Sequence, residues 1–254
     1  MKPILPLAAA LVALASAGSV ADPAAPALRT SPDLAQGVQA FPRLDGNTKA
    51  AVAINRALDE ADAQVAEEAK SCVEDSDGKG SWNRNVEVTL KSARFISFLA
   101  HDDFYCGDPY PDTSILALVY DLQTGAPVDW KRLIPGVSEQ SNKAEAADEA
   151  PLRTISSPAL LALFNEASAR SGGDPDCKDA LAADSDEPTQ LVVWPDANTK
   201  GLAIAIPGLP HAASVCGAPV TIPADKLKAM RADAGLIEDI EAASAQDKGA
   251  HKRL

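Results

Sequence analysis

The sequence predicts an α+β domain, a mainly antiparallel sheet with helices packed on one face and two disulfides. Three observations carry that expectation. Asn83 to Pro111 alternates apolar and polar residues and then enters a cysteine-bearing polar turn, the pattern of a β-hairpin and its exit. Ile54, Leu58, Ala61 and Val65 fall at spacings of four, three and four, one apolar stripe of a helix. The four cysteines, Cys72, Cys106, Cys177 and Cys216, all lie downstream of an export-type leader.

In chain order, Lys2 precedes an apolar run from Ile4 to Ala17. Ala15-Ser-Ala17 and Ser19-Val-Ala21 both fit the small-x-small cleavage pattern, so residues 1–21 read as a secretory signal peptide. The run is shorter than the ~20 residues a membrane span needs. Residues 22–40, rich in Ala and Pro, read as a mobile linker, 41–243 as one α+β domain, and 244–254 as a disordered tail. A short strand is expected at Phe41-Pro42, and Asn47 or Thr48 caps the first helix, which should end near Lys70 or Cys72.

In the hairpin, Val86, Val88 and Leu90 share one face, and Asn85, Glu87 and Thr89 the other. Phe95, Ile96, Phe98, Leu99 and Phe104 make the next strand apolar on both faces, as a central strand is. Ser114–Leu122 is a further strand, followed by a turn, and Val128, Trp130 and Leu133 return to the core. Residues 136–150 read as an exposed loop, and Leu160, Leu161, Phe164 and Ala167 mark a second amphipathic helix. Leu191–Trp194 pairs with Leu202–Ile206, Ala218–Ile222 adds a strand, and Pro223 opens a short helix. Leu236, Ile237 and Ile240 form the last helix.

The formal charge is −13, and removing residues 1–21 takes away only Lys2 and leaves −14. That charge counts against nucleic acid and anionic membrane surfaces and suits a basic partner. An even number of cysteines in an exported chain predicts two disulfides. Of the three possible pairings, Cys72–Cys106 and Cys177–Cys216 each join sequence neighbours within one half of the chain. Zinc does not fit, because no Cys-x-x-Cys or His-x-x-x-His pair exists. A calcium loop begun at Asp75 fails at Lys79 and Val86, where ligands belong. No metal or cofactor is expected.

The histidines are His101, His211 and His251. His101 with Asp102 and Asp103 offers an acid–base or metal set, but only alternate residues of a strand converge. The chain has no Gly-x-Ser-x-Gly elbow, His-Glu-x-x-His pair, phosphate loop or dinucleotide fingerprint, and no catalytic residue is assigned. Trp82, Tyr105, Asp108 and Tyr110, around the polar turn, form the candidate binding set. Aromatics with carboxylates at a loop tip are common where proteins or glycans bind. The alternative is that they cap the sheet edge over a disulfide.

Four short motifs follow one another across residues 41–232: Ile54-Asn55, Tyr105-Cys-Gly-Asp-Pro-Tyr-Pro111, Asp121-Leu-Gln-Thr-Gly125 and Val220-Thr-Ile-Pro-Ala-Asp-Lys-Leu227. Their order and spacing resemble the extracytoplasmic domain of lysozyme-sensing anti-sigma factors and of the non-catalytic part of some peptidoglycan deacetylases. The family's turn has a second glycine and a histidine where this chain has Asp108 and Tyr110, so no role of that histidine carries over. The sequence shows no transmembrane, anti-sigma or deacetylase segment, so signalling and catalysis do not carry over either. The resemblance implies a periplasmic or secreted binding module for a basic protein such as lysozyme, or for a cell-wall glycan. The alternatives are a periplasmic hydrolase or metal-dependent enzyme using His101 and His211, or a structural envelope protein.

Overall fold

The computed structural model describes residues 25–141, 153–170, 177 and 188–250. Helix α1, Lys49–Asp75, begins where the Ala51 amide donates to the Thr48 hydroxyl at 3.1 Å, which satisfies one free amide of the first turn. Its stripe of Ile54, Leu58, Val65, Ala69 and Cys72 is buried. It runs past the expected stop, and the Ser76 hydroxyl then donates to the Cys72 carbonyl at 2.7 Å.

Strands β3 (Ser81–Lys91), β4 (Phe95–Tyr105) and β5 (Asp112–Asp121) form an antiparallel sheet in that order. Two short strands earlier in the chain, β1 (Leu28–Arg29) and β2 (Arg43–Leu44), pair with each other. As expected for a central strand, β4 buries both faces: Phe95 and Leu99 point to one core, Ile96, Phe98 and Ala100 to the other. The β3 alternation holds for Val86 and Val88 but not for Leu90. A bulge between Val88 and Leu90 turns Leu90 to the opposite face, where it packs with Phe95 and Val119. The inserted Thr89 is buried and donates through its hydroxyl to that of Ser97 at 2.7 Å.

Two cores follow from these two faces. One joins the sheet to α1, with Phe41, Leu44, Ile54 and Leu58 at its centre. The other joins it to a second antiparallel sheet. The chain reaches that sheet through helix α2 (Trp130–Leu133) and the hairpin β6 (Ser138–Ser141) to β7 (Arg153–Ser156). Helix α3 (Pro158–Arg170) precedes strands β8 (Val192–Asp196), β9 (Gly201–Ala205) and β10 (Val220–Pro223), paired in the order β10-β9-β8. Helices α4 (Ala224–Ala229) and α5 (Ala234–Ala250) complete the second core with Leu227, Leu236, Ile237 and Ile240.

Four segments differ from expectation. Residues 25–40 belong to the fold: Leu28–Arg29 pairs with Arg43–Leu44, Val38 is buried, and Gly37 and Gln39 exchange backbone hydrogen bonds with Arg84. Ala- and Pro-rich composition concealed this, because backbone pairing asks little of side chains. The strand expected at Phe41-Pro42 lies at Arg43–Leu44, with Phe41 buried beside it. The loop expected from 136 includes β6, and the tail expected from 244 begins inside α5, whose backbone is helical to Ala250. Residues 1–24, which include the expected leader, and 251–254 lie outside the described residues, as do 142–152, 171–176 and 178–187.

Both expected disulfides form, Cys72–Cys106 and Cys177–Cys216. Among the described residues, no helix is long and apolar enough to cross a membrane.

Candidate functional site

Strand register builds the site. It sets Trp82 opposite Phe104 and Arg84 opposite Asp102, and it adds Ser114 of β5 beside Asp102. Two-residue periodicity puts these side chains on the face that carries Phe98 and Ala100, the α1 face. Toward the middle of the sheet, that face is filled by large apolar groups. At this end it turns polar, and α1 lies over the β3 side. A half-open cleft of about 350 Å³ results. Ala61, Gln64, Val65 and Glu68 line it from α1, and Trp82, Phe104, Ile115 and Leu116 line it from the sheet. The Cys72–Cys106 bond ties the end of α1 to the end of β4 and holds the cleft's width there.

At the base of the cleft lies a buried charge pair. Arg84 is only 3% exposed, and its guanidinium sits 4.8 Å from the Phe41 ring centroid, in cation–π geometry. Its Nε is 3.9 Å from an Asp102 oxygen, close enough for charge attraction but too long for a hydrogen bond. Both Nε and Nη2 of Arg84 are buried and have no hydrogen-bond partner among the described residues. Asp102 instead accepts from the Trp82 indole at 2.8 Å.

Burial pushes the Asp102 carboxyl above the ordinary aspartate range, against the opposing pull of Arg84 and the Trp82 hydrogen bond. Burial also lowers the Arg84 pKa, against the carboxylates of Asp102, Asp62 and Glu68. Asp62 has partners of its own, Arg43 at 2.7 Å and the Phe41 amide at 3.2 Å. The arrangement suits binding: a desolvated two-donor fork at the base of an aromatic-walled cleft. Among the described residues, no group of three His, Cys, Asp or Glu side chains is placed to hold a metal ion.

No protein-family model matches the chain, and no curated protein matches it. Among solved structures, it is similar to a DUF3298 family member from Bacteroides fragilis, at 13% identity. That match covers 86% of this chain and 96% of the other, with a TM-score of 0.46. A DUF3298 protein from Pseudomonas aeruginosa PAO1 matches at 11% identity over 68% of this chain and 70% of its own, with a TM-score of 0.39. These neighbours belong to a domain family of unknown function, and likeness at this level assigns neither ligand nor activity.

The structure distributes the four sequence-derived candidates over three places. Trp82 lines the cleft and stacks on Phe104, with centroids 4.6 Å apart and planes at 13°. Tyr105 follows Phe104 on β4 and so lies on the opposite face, shared with His101 and Asp103. Asp108 is exposed in the turn. Tyr110 is exposed and stacks on His211 of the 3-10 helix His211–Gly217, with centroids 5.2 Å apart and planes at 7°. His101 Nδ1 lies 3.5 Å from Asp103 Oδ2, on the face away from Asp102.

Sequence reasoning missed Arg84, although a signal was there. Period two puts it between Trp82 and Val86 on the buried face of β3, where an arginine needs a reason.

The motifs behind the resemblance act as fold devices. Asn55 pins β2: its Oδ1 accepts the Leu44 amide and its Nδ2 donates to the Leu44 carbonyl, each at 2.9 Å. Asp121 Oδ1 accepts the amides of Gln123 and Thr124, at 2.8 and 2.9 Å, and so shapes the turn that Gly125 closes at φ +73°. Pro223 ends β10 and caps α4.

Proposed function

We propose that the chain is an exported binding module of the cell envelope whose ligand seats in the cleft between α1 and the open end of the first sheet. The observation that carries this reading is Arg84, buried at the cleft base with two donors, Nε and Nη2, that find no acceptor among the described residues. A buried donor left without a partner is costly, so folds keep such groups for a purpose. The leader-like residues 1–21 and two disulfides support a periplasmic or secreted location. The cleft is at the lower end of the ~300–1,000 Å³ range of small-ligand sites, and its aromatic wall suits a sugar ring of a cell-wall glycan.

The formal charge of −13 favours a second reading, a basic protein partner such as lysozyme, in line with the resemblance. Calorimetric titration of the oxidised protein with soluble peptidoglycan fragments and with a basic lysozyme, at low and physiological salt, tests both. Saturable fragment binding that Gln64→Trp abolishes supports the cleft reading. One-to-one lysozyme binding that survives physiological salt supports the second. Heat that vanishes with salt is nonspecific charge attraction. No binding of fragments or lysozyme at physiological salt overturns the proposal.

A further inference from the structure

Building on that reading, we infer that Arg84 anchors a ligand carboxylate through Nε and Nη2, so that the cleft takes an acidic sugar unit rather than a neutral one. The two nitrogens are the parallel donors on one side of the guanidinium, spaced to meet both oxygens of a carboxylate. Both lack an acceptor, although three carboxylates lie close enough to act on the charge. Asp62 is engaged with Arg43 and the Phe41 amide. Asp102 accepts the Trp82 indole and stays 3.9 Å from Nε. Glu68 accepts the Gln64 amide at 2.9 Å. The unmet demand at the base of the cleft is therefore for an acceptor, and a carboxylate meets both donors at once where a hydroxyl meets one.

The volume of about 350 Å³ admits one ring with its substituents rather than a chain of them. Both Arg84 nitrogens are out of contact with solvent, so entry moves a side chain at the mouth. Gln64 and Glu68, hydrogen-bonded to each other on α1, line the cleft on that side.

The test compares N-acetylmuramic acid with N-acetylglucosamine, which lacks the lactyl carboxylate, by titration of the oxidised full chain. The acidic sugar is expected to bind at least about tenfold tighter, the scale of one charge-assisted interaction. Arg84→Lys keeps the charge but loses the fork and should weaken the preference. Its thermal melt checks that it folds. Where it does not, the Nε–H resonances of the wild-type arginines decide: one of them should shift with the acidic sugar and none with the neutral one. Equal affinities, a preference undiminished in folded Arg84→Lys, or no arginine shift overturns the inference and leaves the binding-module reading standing. Binding of neither sugar also overturns it, and the module reading then rests on the fragment and lysozyme titrations.

Discussion

Asp102 holds its proton more tightly in the folded chain than in the unfolded one, because burial outweighs the attraction of Arg84. A raised carboxyl pKa means that its contribution to stability is largest in acid. The contribution is lost as pH rises from the ordinary value of 3.8 through the folded value. Chemical denaturation of wild type and Asp102→Asn from about pH 3 to about pH 7 should show the wild type's relative stability falling as pH rises. A relative stability that climbs over that range contradicts the assignment. Gly125 carries a second residue-scale prediction. Its φ of +73° is left-handed, and an added Cβ would stand 2.7 Å from the Ala50 Cα. Gly125→Ala should cost about 1–3 kcal/mol in a urea melt, with binding in the distant cleft unchanged. Neither residue's role is written in its neighbours alone. Asp102 looked like a partner for His101, and strand geometry sends the two to opposite faces.

At the scale of elements, α1 and the hairpin were legible because their patterns are local. An apolar stripe at helical spacing and an alternating strand each record a buried face directly in the order of residues. The bulge at Thr89 was not legible. One inserted residue reverses which face Leu90 serves and leaves no mark in composition. Residues 25–40 and β6 were also missed, because their place is secured largely by backbone pairing. The Cys72–Cys106 bond closes a loop of sequence separation 34. Replacing both cysteines with serine should cost about 4 kcal/mol on the chain-entropy model and weaken ligand binding by freeing the end of α1. Non-reducing peptide mapping should recover Cys72 with Cys106 and Cys177 with Cys216. A peptide joining Cys72 to Cys177 or Cys216 would contradict the fold.

For the whole molecule, the first sheet is the shared wall of two cores, one with α1 and one with the second sheet. The cleft exists because α1 covers only part of its face. That is a tertiary fact: period two in β3 marks Arg84 as facing inward, but only the pairing of β3 with β4 under α1 joins Trp82, Arg84 and Asp102 in one cleft. The polar turn drew attention in the sequence because aromatics cluster there by number. In space Tyr110 meets His211, and Trp82 faces α1. The cleft and the Tyr110–His211 stack are therefore two separate surface regions, and one experiment tells them apart. Amide chemical-shift mapping of the oxidised protein, titrated with soluble peptidoglycan fragments, is that experiment. A ligand seated in the cleft should concentrate the shifts at residues 61–68, 82–84, 102–104 and 114–116. Shifts confined to 105–111 and 211–217, around the Tyr110–His211 stack, would contradict it.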